Sequence, residues 1–121
     1  MALHTELPIY KTGVDLLSLA VKVQEQMPRG VKRSLGDKIS YHCVEMLDLM
    51  ALANATQHAE RAGHIHALLK QQRAATVLLR VSHESHYVSH ALWGRSVQLL
   101  DSIGRQGGGW LKTSHRKAPA A

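Results

Sequence analysis

The sequence predicts an all-α protein built as an up-down antiparallel four-helix bundle, on three observations. Leu, Ala and Val dominate an apolar content of 45% and phenylalanine is absent, which favours helices filled with aliphatic side chains over an aromatic-rich β-sandwich. Apolar residues recur at helical spacing in four long runs. The breaks between those runs are short, as antiparallel neighbours require. With 121 residues the chain is long enough for one domain with a real core and too short for two of ordinary size. That domain is expected over 1–114, followed by a disordered basic tail over 115–121 that lacks apolar periodicity.

Helix one is predicted over 8–26. Pro8 suits a first turn, where its missing N–H has no partner to lose, and Pro28 marks the next break. Its core stripe is Ile9, Leu16, Ala20, Val23 and Met27, with Val14, Leu17 and Val21 as a flanking apolar row. Helix two is predicted as one rod over 29–55, roughly 40 Å long at 1.5 Å per residue. It carries Val31, Leu35, Ile39, Cys43, Met46, Leu47, Met50 and Ala53 inward. A turn follows at 54–57, because Asn54 and Thr56 compete for backbone hydrogen bonds.

Helix three is predicted over 58–85, with Ala62, Ile65, Leu68, Leu69, Ala75, Leu78, Leu79 and Val81 facing inward. Helix four is predicted over 89–112. Ser89 is read as its N-cap, with Val88 and Trp93 positioned as a hydrophobic staple.

The charge balance narrows the function classes. Fifteen Lys and Arg stand against nine Asp and Glu, giving +6 and a pI near 9.8, so an acidic partner such as a polyanion is expected. The single cysteine, Cys43, has no internal disulfide partner and lies among apolar residues, which suits the reducing cytoplasm. No signal-peptide pattern opens the chain, and no apolar run approaches the roughly 20 residues that span a bilayer.

Between Glu60 and Glu84 there is no acidic residue, while Lys70, Arg73 and Arg80 fall within an arc of roughly 80° on a helical wheel. A solvated helix face is one reading of this ridge. The other is phosphate contact, which needs cations in a row and yields salt-sensitive, sequence-poor binding. Arg29, Lys32, Arg33 and Lys38 form a second cluster, and Arg105, Lys112, Arg116 and Lys117 a third.

His83, His86 and His90 have a spacing that converges on a metal if one helix carries all three, but the series crosses the turn expected near 87–89. A polar helix end is the expectation, with no metal or cofactor. Arg61 with His66, and Arg80 with His86, fit the loose Arg-to-His spacing of the helical HEPN ribonucleases. Nine histidines and fifteen basic residues make such matches common by chance, and no nucleophile–base pair, phosphate loop or paired-carboxylate site is present. A non-catalytic protein is expected.

Five stretches carry a family resemblance: "LPIYK" at 7–11, "SLGDKI" at 34–39, "LLR" at 78–80, Ser89 opening helix four, and "IGRQGGGWLK" at 103–112. Together they resemble Avd, the accessory variability determinant of diversity-generating retroelements, within the four-helix-bundle group that includes ribosomal-RNA intervening-sequence proteins. The resemblance implies a pentameric barrel of bundles that binds RNA and DNA through basic surfaces and docks on a reverse transcriptase. The complex would copy a template-repeat RNA into adenine-mutagenised cDNA; the alternative within the same group is a stand-alone nucleic-acid-binding bundle of the intervening-sequence type with no polymerase partner. Arg80 and Arg105 match basic positions of the family pattern, and Lys112 does so more weakly. The sequence departs from the pattern at "SHESHYV" over 82–88, where relatives are more apolar, and at Gly107, where they carry a bulkier residue.

Gly107, Gly108 and Gly109 would ordinarily stop a helix, yet Trp110 and Leu111 keep the helical phase of Leu99, Ile103, Val97 and Leu100 across them. The helix is therefore expected to continue, with the glycines as thin positions for close packing within or between protomers and Trp110 as an anchor. The alternative is a glycine cap with Trp110 folded back.

Overall fold

The computed structural model describes residues 3–115, and the part of the expected tail at 116–121 lies outside the described residues. A 3-10 turn at His4–Glu6 leads into α1 (Pro8–Gln26). Three further long helices follow, α2 (Asp37–Ala55), α3 (His58–Glu84) and α4 (His90–His115), and no strand occurs among the described residues. Helix α4 thus runs to His115, three residues past the predicted 112 and into the segment expected to be tail.

The predicted rod over 29–55 is corrected in its first third. A single α-turn at Arg29–Val31 passes into a π-helical turn at Lys32–Gly36 before α2 proper begins. The cause is a contact from α1. The Gln24 amide donates to the Lys32 carbonyl at 2.9 Å and to Asp37 Oδ1 at 2.7 Å, while Asp37 N–H also donates to the Lys32 carbonyl. Gly36 makes room for this side chain, since a Cβ there would lie 2.6 Å from Gln24 Cγ.

Helix α1 packs on α2 and α4, and α3 packs on the same two, so the chain runs around a square in sequence order. All neighbours are antiparallel. At one end of the α1–α4 pair the Gln106 amide donates to Thr12 Oγ1, and at the other Ser89 N–H donates to Gln26 Oε1. The His42–Gln71 side-chain bond pairs α2 with α3, and the Gln72 amide reaching the Leu100 carbonyl pairs α3 with α4. We call the end holding the 28–36 and 85–89 connections the upper end, and the other the lower.

The core is the predicted stripe set. Leu16, Val23, Ile39, Met46, Met50, Leu68, Leu79, Leu100 and Ile103 are all essentially inaccessible. Each such aliphatic chain contributes about 1.5–3 kcal/mol on burial. Cys43 lies among them, and desolvation raises its thiol pKa to about 12, which keeps it protonated and unreactive. The flanking row of α1 is corrected: Val14 and Val21 are exposed, as is Val81 of α3. Helical spacing alone overstates the width of the buried stripe when each helix has only two neighbours.

Helix α4 passes through Gly107, Gly108 and Gly109 without a positive φ, so no glycine cap forms. Gly107 is buried, and a Cβ there would meet Leu69 Cδ2 at 2.8 Å, so it is a point of close side-chain packing. Gly108 and Gly109 meet nothing within 4 Å in the protomer, so the close approach expected at all three occurs inside this chain at Gly107 alone. Trp110 is half-buried against the core beside Leu7, Pro8 and Ile9. This packing offsets the helix-propensity deficit of about 1 kcal/mol per glycine.

Candidate nucleic-acid interface

On α3 the buried positions Ala62, Ile65, Leu68, Ala75, Leu79 and Ser82 define the inner face. Opposite them, alternating steps of three and four residues carry Lys70, Arg73, Val77, Arg80 and Glu84 along the exposed crest. Lys70, Arg73 and Arg80 are therefore brought onto one open ridge, about 15 Å long at the helical rise. Among the described residues, none of these three side chains makes a hydrogen bond or ion pair. Three unpaired cations along one crest form a positive stripe to which a phosphate backbone can bind at little desolvation cost.

The other basic clusters lie on different elements from this ridge, one on the 28–36 connection and one on α4. Arg29 and Arg33 are exposed at the upper end, and Lys32 is half-buried there with its carbonyl held by Gln24. Arg105 and Lys112 are exposed on the lower half of α4, at the opposite end of the molecule.

Arg61, one of the arginines matching the ribonuclease spacing, has a structural role. Its Nε donates to the Ala53 carbonyl at 2.8 Å and its Nη2 to the Asn54 carbonyl at 3.4 Å, which satisfies the C-terminus of α2. Its guanidinium also lies 5.8 Å from the centroid of the Trp110 ring. Nothing in the local sequence marks Arg61 as a cap, because its acceptors belong to the preceding helix.

The three histidines of the upper end do come together, although in no metal-binding arrangement among the described residues. Helix α3 ends at Glu84, and the Tyr87 N–H returns to the Ser82 carbonyl while the His86 N–H returns to the His83 carbonyl. That is the Schellman geometry, with His86 in the left-handed position at φ 64°. Ser89 caps α4 as predicted, its Oγ accepting from Leu92 N–H at 3.2 Å. Val88 is buried, but the ring partner of Trp93 is His83, stacked at 5.2 Å and 12°. Between these elements opens a cleft of about 550 Å³ lined by Gln26, His83, His86, Tyr87, Ser89 and His90. Gln26 and Tyr87 were not among the predicted site residues; the cleft joins the stretch 83–90 to Gln26 of α1, which is distant in sequence.

Among the described residues, fold and surface together define a basic four-helix bundle with a cationic crest on α3. No protein-family model matches the chain, and neither does any curated protein or solved structure. No helix among the described residues is long and apolar enough to cross a membrane.

Proposed function

We propose that the chain is a non-catalytic accessory protein of a diversity-generating retroelement, holding template RNA and its cDNA copy against the reverse transcriptase. The observation that carries the nucleic-acid part is the unpaired ridge of Lys70, Arg73 and Arg80. Cations on a rigid helix track a backbone without reading bases, which is what a partner of a template-copying enzyme requires. The motif at 103–112 supports the family part, with Trp110 built into a helix that continues through its glycines.

In this reading five copies assemble into a barrel, and Arg105, Lys112, Arg29, Lys32 and Arg33 supply further contacts to nucleic acid or to the enzyme. A Cβ at half-buried Gly108 or exposed Gly109 would meet nothing within 4 Å, which leaves room there for a neighbouring protomer. The engagement of Arg61 by α2 and Trp110 favours a non-catalytic role over the ribonuclease alternative.

The test is a double reversal, Arg73→Glu with Arg80→Glu, read by fluorescence anisotropy against labelled single-stranded RNA over a salt series. Affinity should fall at least about tenfold, with a shallower salt dependence, because each lost phosphate contact removes about 0.7 from the log–log slope. Unchanged affinity at low salt overturns the proposal. Light scattering tests the assembly, and a monomeric mass removes the barrel.

A further inference from the structure

The upper-end cleft has a lining that the ridge does not explain. Its side chains include three imidazoles, a serine hydroxyl, a primary amide and a phenol, with no carboxylate. Such a set disfavours cations, and the histidines are not placed to hold a metal among the described residues. Each imidazole offers at least one N–H donor in either protonation state. The Gln26 carbonyl oxygen is already occupied by Ser89 N–H, which leaves its NH2 group as a donor.

Two features shape the wall that carries these donors. His83 is backed by the parallel Trp93 ring, and the His90 ring stands 5.7 Å from it. His86 holds the left-handed position that ends α3, where glycine is the inexpensive choice and a side chain carries a conformational cost. His58 at the start of α3 holds the same conformation at φ 54°, so it is the lining around His86, and not the backbone alone, that marks the cleft.

We infer that this cleft is a phosphate site that receives a nucleotide unit of a single-stranded nucleic acid, gripped by His86 and His90. The space of about 550 Å³ exceeds what a free phosphate fills and falls in the range of small-ligand pockets, so a sugar and base are accommodated with it. Arg80, the last cation of the crest, precedes His83 by three residues on α3, so the cationic part of the ridge ends beside the cleft, with Glu84 at the tip of the crest. The inference rests on the nucleic-acid reading of that ridge and adds a specific end point to it.

The experiment uses the full chain labelled with nitrogen-15 and follows backbone amide and indole resonances at constant ionic strength. The probes are inorganic phosphate, uridine 5′-monophosphate and a short oligouridylate, added separately and in competition. Resonances of 83–91 and the Trp93 indole should move with all three, most tightly with the oligonucleotide. The pair His86→Ala and His90→Ala should weaken the nucleotide about tenfold, as loss of charge-assisted hydrogen bonds does. His86→Gly, which keeps the turn geometry, should weaken it while leaving the fold intact.

Absence of shifts at 83–91 with every probe overturns the inference, as do shifts unchanged in the histidine variants. Binding of inorganic phosphate that the oligonucleotide fails to displace also overturns it, leaving a free-anion site. The two readings fail separately. If ridge reversal weakens RNA while the cleft resonances never move, the cleft falls and the ridge stands. If the cleft takes the monophosphate while RNA ignores the ridge reversal, the ridge falls and the cleft stands as a nucleotide site.

Discussion

The two ends of the bundle are closed by opposite chemistry. At the lower end Trp110, Ile9 and Gly107 pack together, and Arg61 seals the carbonyls of α2 while reaching over the indole. At the upper end a π-helical turn and an open polar cleft stand where the lower end has apolar contact, while a left-handed histidine occurs at both, His86 above and His58 below. Stability concentrates where side chains interlock, and binding chemistry collects where backbone and polar groups are left strained or open. The contrast makes the ends separable by mutation.

The largest effect is expected from Trp110→Ala. Truncating a fully buried indole costs about 3–5 kcal/mol, and for this half-buried ring about 2–3 kcal/mol is expected, read as a lower urea midpoint. A loss below about 0.5 kcal/mol, the level of an ordinary surface change, would mean that the lower end is not held by the indole. Arg61→Ala should follow, at about 1–2 kcal/mol, because it strands two carbonyls at the end of α2 and removes the cation above the ring. These two changes should be less than additive in a double-mutant cycle, since each removes part of the same contact.

Most of the helical frame was legible in the sequence because helical periodicity and proline placement act locally. The limits of α1 and α3 match within one residue, and Ser89 caps α4 as its residue type predicts. The ridge was legible for the same reason, as three cations on one helix share a face whatever packs behind them. The π-turn was not, because it answers to Gln24, a side chain on the preceding helix. Arg61 as a cap and Gln26 as part of the cleft were equally hidden, since their partners meet only after the chain has folded back on itself, whereas the histidines of the cleft are local in sequence.

The glycines of α4 give the next smaller effect and separate the protomer from any assembly. Gly108→Ala and Gly109→Ala each fill open space, so each should stabilise the isolated chain by about 1 kcal/mol through helix propensity. Gly107→Val should do the reverse by about 1–3 kcal/mol, because the added side chain meets Leu69 at a buried position. Denaturation checks all three. If Gly108→Ala and Gly109→Ala stabilise the fold but lower the mass seen by light scattering, those positions are where protomers approach. If the mass is unchanged, the barrel does not use them.

The smallest stability effect belongs to the upper end and has the opposite sign to those of Trp110→Ala and Arg61→Ala. His86→Gly should raise stability by about 0.5–1 kcal/mol, since glycine adopts the left-handed conformation freely and loses only part of that gain to unfolded-state entropy. His86→Ala keeps the strain and should change stability little. Both remove the imidazole, so both should weaken nucleotide binding alike, which uncouples binding from stability at one position. Thermal melts with and without uridine 5′-monophosphate read both quantities together. A glycine variant that melts lower than the parent would show that the His86 side chain holds the turn, and the division between an interlocked lower end and an open, polar upper end would fail there.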